Sequence, residues 1–360
     1  MRFFQGIDWI LFFPMLFLTS LGILMIYSTS IEANGVDYTF VSRQTIYLLL
    51  GLLIFFIVSR IDYKLISSFS YLMYALVIAL LLTTFFYGEI TRGSRRWIDL
   101  GIITIQASEV AKPVIILTLS SFFSRFSPKD LKNVIVSFLI VAVPAALVFI
   151  QPDLGNAVII MSLWAVLVFG AGVKILHAAS LVFIALVLLP LSWFFLEDYQ
   201  KERLLTFLSP ERDPHGSGYN LVQSIIAVGS GGLKGRGFGR GTQSHLNFLP
   251  EQKTDFIFAT TAEELGFFGV SIILGAFGFI IYRTLVAVNK AADIQGSIIS
   301  LGVAAMIAIH LFINIGMNIG IFPVTGITLP LISFGGSSLI SVMFSLGLVN
   351  SVSSFSKKSH

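Results

Sequence analysis

The stretch LPEQKTDFIFATTAEE (249–264) closes the one long polar segment of the chain, Glu197 to Glu264, and carries Asp255 just before an apolar run of membrane length. Upstream in the same segment lies GSGGLKGRGFGRG (229–241), a Gly/Lys/Arg run. On both sides the sequence is built from apolar runs of roughly 17–25 residues. That length suits helices crossing a hydrocarbon layer of about 30 Å, and not the ~10-residue alternating strands of a barrel. Because lipid leaves no backbone group to be satisfied by water, the fold class is all-α: a polytopic transmembrane protein with ten helices and one large extracytoplasmic loop.

Composition points the same way. The 360 residues are 56% hydrophobic and 12% charged, with a mean hydropathy of +0.89; a soluble domain carries about 25% charged residues. Cysteine is absent, which excludes disulfides, a thiolate nucleophile and a Cys-based metal site. The N-terminus has one early Arg2 and no small-residue cleavage pattern, so the first span reads as retained and not as a removed signal.

Taken in order, the spans are expected at 7–30, 44–59, 65–87, 107–123, 133–150, a sixth from the QPDLG break (151–155) to near Gly170, then 175–196, 265–287, 297–320 and 337–353. They form one domain, 1–360, with the loop 197–264 between helices 7 and 8. With the N-terminus inside, the inner segments hold eleven cations and the short outer loops four, namely Arg43, Arg92, Arg95 and Arg96. Short loops with more Lys and Arg stay cytoplasmic, so both termini are expected in the cytoplasm and the polar segment outside. Within that segment LVQSIIAVG is apolar yet too short to span, and 218–230 is expected to form a short amphipathic helix.

Polar groups at membrane depth each carry two readings. Glu109 and Lys112, three apart on one helix face, either lock spans together or floor a site opening outward. Asp153 in QPDLG caps the next span or takes part in chemistry. His310, Asn314 and Asn318 recur every four residues as one stripe, read as interhelical hydrogen bonding; His310 has no partner at metal-ligand spacing. GITLPLISFGGSS (326–338), with its Pro and Gly pair, reads as a re-entrant turn or cavity lining.

Two clusters have the residue types for an anionic ligand. One is Arg92, Arg95 and Arg96 beside Trp97; the other is Lys234, Arg236 and Arg240 among glycines that let backbone approach closely. The glycine run lacks the G-x-x-x-x-G-K-[ST] pattern of a nucleotide loop, and its plain alternative is a solvated loop. Asp255 is either a helix cap or a general base at a wet-to-apolar boundary. Glu263 and Glu264 either serve as the base in its place or merely favour the helix dipole from the first turn of the eighth span.

The combination NIGMNIGIFPVTGITLPLISFGGSSL (314–339), RGSRRWI (92–98), ASEVAKP (107–113), QPDLG (151–155) and GRGFGRGTQSHLNFLPEQKTDFIF (235–258) resembles the SEDS family (shape, elongation, division and sporulation) over nearly the whole chain. The short tails are more similar to its elongation-type members than to its division-type ones. The resemblance implies ten transmembrane helices in the bacterial inner membrane and a peptidoglycan glycosyltransferase that polymerises lipid II, the undecaprenyl-diphosphate-linked precursor, into β-1,4 glycan strands. A class B penicillin-binding protein is the implied partner, other elongation-complex membrane proteins can join it, and no nucleic acid is expected. By motif position Asp255 matches the family's essential loop aspartate, and Glu109 with Lys112 its fourth-helix polar pair. Arg92, Arg95, Arg96, Lys234, Arg236 and Arg240 are the diphosphate-binding candidates. No cofactor is firmly implied; a divalent cation (Mg or Mn) is an optional stabiliser of the leaving charge, with its ligands unknown. Two other functions fit ten helices with polar interiors: a lipid II flippase, and a noncatalytic scaffold for the penicillin-binding protein.

Overall fold

A computed structural model describes residues 6–356, apart from 33–34, 92–93, 100, 102–103, 214–215 and 246–247. Its helices are α1 (Trp9–Ser28), α2 (Tyr38–Val58), α3 (Tyr63–Ser68), α4 (Ser70–Tyr87), α5 (Ala107–Phe123), α6 (Leu131–Ile150), α7 (Leu154–Gly170), α8 (Ile175–Ser192), α9 (Asp198–Leu208), α10 (Ser217–Ser230), α11 (Thr242–His245), α12 (Ile257–Lys290), α13 (Ile294–Asn318) and α14 (Gly336–Ser356). Each of the ten expected spans coincides with a helix or, for the third, with α3 and α4 joined at Phe69. Among the described residues seven helices are long and apolar enough to cross a membrane by length and composition; α5, α7 and α8 occupy the other three positions.

Helix starts follow local chemistry. Asp8, Asp37, Asp62, Asp153 and Asp293 each accept a backbone N–H of the helix they precede, the usual duty of an N-cap acid. The predicted amphipathic helix exists as α10, packed on α12 and α13 with Leu221, Ser224 and Ala227 buried.

Two features depart from the expected pattern. The connection 88–106 between the third and fourth expected spans contains a three-stranded antiparallel sheet of β3 (Glu89–Thr91), β4 (Ser94–Asp99) and β5 (Thr104–Gln106); a two-residue-strand hairpin, β1 (Ile31–Glu32) with β2 (Gly35–Val36), precedes it in the chain. The eighth span begins at Ile257, eight residues before 265, and its regularity is broken at Gly266, where φ is 65° and ψ is −169°. That backbone is open to glycine and strained for any residue with a Cβ.

The interior is formed by α5, α13 and α14. Helix α13 touches α5, α7, α10, α12 and α14, and α14 lies against α2. Buried side chains of α5 include Ser108, Glu109, Lys112, Thr118, Ser120 and Ser121. In a membrane protein the lipid face is the apolar one, so a helix this polar is forced inside, where partners are available.

Candidate active site

Five segments far apart in sequence meet here: 104–112, 151–156, 253–259, 310–318 and 325–338. The joint between them is the polar stripe of α13. His310, one helical turn before Asn314, faces α5; Asn314 and Asn318 face the residues that lead into α12.

At the α5 end, Lys112 Nζ donates to Glu109 Oε1 at 2.6 Å, to Asn156 Oδ1 at 3.0 Å and to His310 Nε2 at 2.7 Å. Three donors meet three acceptors, and Lys112 is 1% exposed. The carbonyl of Met306 can only accept, so His310 Nδ1, 2.7 Å away, carries the ring proton and Nε2 is left to accept from Lys112. Asp153 lies one link further on. It accepts from Asn156 N and Nδ2, from Ser108 Oγ and from Gln106 Nε2. It is therefore a helix cap and also a member of the buried network. A charge without partners at this depth costs about 2.5–3.5 kcal/mol even on lenient scales; every polar atom named here has one.

At the α12 end, three successive carbonyls before the helix are held from the C-terminal signature. Phe334 N donates to Lys253 O at 2.9 Å, and Ser333 Oγ to Thr254 O at 2.7 Å. Asn314 Nδ2 and Asn318 Nδ2 both donate to Asp255 O, at 3.0 and 3.1 Å. Gln44 of α2 secures the other side of that segment, donating to Ser333 O and accepting from Gly335 N. The Asp255 side chain, part-buried, points toward Gly326, where a Cβ would stand 3.6 Å from Oδ2. The N-cap position of α12 belongs to Phe256, so Asp255 stands one residue outside it. The segment 319–335 is non-helical with positive φ at Gly320, Gly326 and Leu331, as the Pro/Gly-rich sequence anticipates; Ile319, Ile321 and Gly326 are exposed, whereas 329–333 is buried in protein.

The glycine run does something the sequence reading missed: it seals the break in α12. Gly232 O and Leu233 O accept from Phe267 N and Phe268 N, the freed donors where the helix resumes, while Arg236 N and Gly237 N donate to Glu263 O and Glu264 O, where it stops. A Cβ at Gly231, Gly235 or Gly266 would overlap the facing backbone. These glycines are there so that backbone can lie on backbone. Glu263 and Glu264 are correspondingly not first-turn acids on a helix dipole. Glu263 accepts from Gln243 N, Ser244 N, Thr242 Oγ1 and Ser244 Oγ; Glu264 accepts from Ser28 Oγ and Gly239 N. Both are fully buried, and their work is to fasten the loop to the bundle.

The basic candidates separate by environment. Arg96 donates to the carbonyls of Gln151 and Pro152, bracing the QPDLG turn. Arg236 donates to Ser230 Oγ at 3.1 Å and lies 3.9 Å from Glu263. Lys234 and Arg240 are exposed. Arg95 sits on β4 at a position whose side chain is outside the described residues, as is the whole of Arg92. Among the described residues no three His, Asp or Glu side chains gather to hold a metal ion.

The chain matches, over residues 8–358, the family model of the cell cycle proteins FtsW, RodA and SpoVE. It belongs to that SEDS family. Among SEDS relatives it is 38% identical to peptidoglycan glycosyltransferase MrdB of Escherichia coli K12 over 333 residues, covering 91% of this chain and 90% of that one. It is 36% identical to stage V sporulation protein E of Bacillus subtilis, covering 97% and 98%, and 34% identical to peptidoglycan glycosyltransferase RodA of Treponema pallidum, covering 96% and 97%. In structure it resembles a chain of a peptidoglycan synthase complex that coordinates polymerisation and crosslinking, with a TM-score of 0.85 and 30% identity over 98% and 99% of the two chains. It also resembles the crystal structure of RodA from Thermus thermophilus, with a TM-score of 0.72 and 28% identity over 97% of each chain. The SEDS fold thus accounts for the whole length. Within it, sequence reasoning did not single out Gln44, Gln106, Ser108 and Asn156; their signal was a polar residue inside or beside an apolar span, with no periodicity to name a partner.

Proposed function

We propose that this chain is a peptidoglycan glycosyltransferase of the bacterial inner membrane that polymerises lipid II for cell elongation and shape, with Asp255 as general base. The observation that carries the site assignment is the immobilised backbone around a part-buried carboxylate. The carbonyls of Lys253, Thr254 and Asp255 are all clamped, which fixes the backbone that carries the carboxylate. In the reaction the carboxylate takes the proton of an acceptor sugar 4-hydroxyl. The freed oxygen bonds to the anomeric carbon of the donor glycan as that carbon's bond to the lipid diphosphate breaks, and the diphosphate departs with the electron pair. An α-linked donor and a β-linked product require inversion, which calls for a base and no covalent enzyme intermediate. A base of this kind contributes about 10²–10⁴-fold.

Diphosphate is a good leaving group that needs its charge met. Of the basic candidates described, Lys234, Arg236 and Arg240 are exposed, and Arg236 is already bonded to Ser230 Oγ; Lys234 and Arg240 are assigned this role. A divalent cation would draw most of its ligands from diphosphate and water, as Mg commonly does. The charge asymmetry of the short loops supports cytoplasmic termini and an outward Asp255, and a class B penicillin-binding protein is the partner that would crosslink the strands.

The test supplies purified protein, with and without the penicillin-binding protein, with lipid II in liposomes and moenomycin to silence contaminating transferases. Wild type should yield long glycan strands, and folded Asp255→Ala none. Equal polymerisation by both removes Asp255 from the base role; lipid II translocation without polymer favours a flippase; neither activity favours a scaffold. Activity undiminished by EDTA removes the cation.

A further inference from the structure

Helix α12 starts badly by its own sequence. The residue at its N-cap is Phe256, which has no side-chain acceptor, so the first-turn N–H groups have no local cap. The acceptor comes instead from α13: Asn318 Oδ1 receives Ala259 N at 3.1 Å. The other half of the same amide donates to Asp255 O at 3.1 Å and to Asn314 O at 2.8 Å. Ser224 Oγ of α10 donates to Asn318 O at 2.8 Å and to Oδ1 at 3.3 Å. Asn318 is fully buried, and both donors and its carbonyl oxygen are in use. One planar group therefore sets the start of α12, the peptide plane following Asp255 and the seat of α10.

We infer that Asn318 is a positioning residue for Asp255: it acts as a helix cap supplied from a neighbouring helix, and fixes where the carboxylate is presented. The inference rests on Asp255 being the base. Asn314 shares the Asp255 carbonyl but also donates to Ile327 O at 2.7 Å, so it ties the aspartate to the backbone beside Gly326. The two amides act on the same carbonyl from one face of α13, and removing either leaves that carbonyl held by a single donor. Displacement of about 1 Å at a reacting group reduces turnover by up to about 100-fold.

The experiment compares full-length Asn318→Ala, Asn318→Asp and Asn350→Ala in lipid II polymerisation, with thermal unfolding measured on the same samples. Asn350 is a matched control: it too is a buried amide holding backbone, accepting from Asp8 N at 2.7 Å and donating to Gly6 O, at the opposite end of the bundle. Asn318→Ala should lower kcat about 10- to 100-fold with KM within about twofold, counted per folded molecule. Asn318→Asp keeps an oxygen for Ala259 N and Ser224 Oγ but sets a buried acceptor against the carbonyls of Asp255 and Asn314, so it should recover neither the stability nor the kcat lost in Asn318→Ala. Asn350→Ala should lose stability with kcat unchanged. If Asn318→Ala, corrected for folded protein, turns over at the wild-type rate while Asp255→Ala is dead, the positioning role is overturned and the base assignment stands. If Asp255→Ala is itself active, the base assignment fails and this inference falls with it.

Discussion

Two stretches of the polar segment both commit their main chain to hydrogen bonds, and they have been built for opposite ends. In 229–241 the glycines let main chain pack on main chain. Loop carbonyls and amides are consumed in closing the break at Gly266, and two buried glutamates complete the seam. In 249–258 the main chain is likewise consumed, but by groups of α13 and the C-terminal signature, which fix the backbone that carries Asp255. A charged, glycine-rich stretch beside a membrane invites a phosphate-binding reading by residue type. What separates architecture from chemistry is which atoms remain after the backbone hydrogen bonds are assigned.

Several substitutions can break or sharpen that contrast. The largest effect is expected at Gly266. Alanine there combines positive φ with overlap on the Gly235 amide, and neither can be relieved by choosing another rotamer. Gly266→Ala should fail to accumulate as a monodisperse protein in detergent chromatography; normal yield and melting temperature would mean that the seam is not architectural.

Next comes Lys112→Met, which leaves Glu109 buried without its cation. Breaking one partner of a buried pair costs about 3–5 kcal/mol, which thermal unfolding would register as a large drop. Lys112→Met combined with Glu109→Met should regain most of the loss, because no lone charge is left. A double variant as unstable as the single one would show that Asn156 and His310 depend on Lys112 more than Glu109 does.

A smaller effect separates side chains from backbone within the glycine run. Lys234→Ala with Arg240→Ala should leave stability within about 0.5 kcal/mol and raise KM for lipid II roughly two- to tenfold, an effect shrinking as salt rises. Unchanged KM would make the run purely structural.

The smallest concerns the other end of the bundle, remote from both halves. Burial alone would raise the Asp293 carboxyl, but the hydrogen bonds from Gly296 N and Lys64 outweigh it and hold it below its ordinary value. Stability from a depressed carboxylate is present above its unfolded pKa and is lost as pH falls through the lower folded one. Asp293→Asn retains the cap, so it should differ from wild type by less than about 1 kcal/mol at neutral pH. The difference should begin to shrink as pH falls below about 4 and vanish only once pH has passed the lower folded-state value; unfolding measured across that range checks it.

Much of this was legible in the sequence because it is local or periodic. Apolar run length located all ten helical positions, and QPDLG announced the cap at Asp153. The four-residue spacing of His310, Asn314 and Asn318 announced a shared face. What that face touches was not legible: the partner of His310 is Lys112, 198 positions away, and no local pattern encodes a contact between distant helices. The strands at 89–106 were missed because three to six residues are too few for alternation to declare itself. Glu263 and Glu264 were misread because an acid near a helix start satisfies the dipole rule whether or not a loop folds over it.

The central claim is that the glycine half holds the molecule together and the aspartate half performs the reaction. It is tested most directly by the rate of glycan-strand formation per folded molecule in Asp255→Asn and Gly239→Ala. Gly239 has φ of +70° and open space for a Cβ except near Ile31, so alanine strains the backbone by about 1–2 kcal/mol without blocking the fold. Asp255→Asn should melt like wild type and make no strands; Gly239→Ala should melt earlier while its folded molecules polymerise at the wild-type rate. Strands from Asp255→Asn, or a folded Gly239→Ala that makes none, would contradict the division.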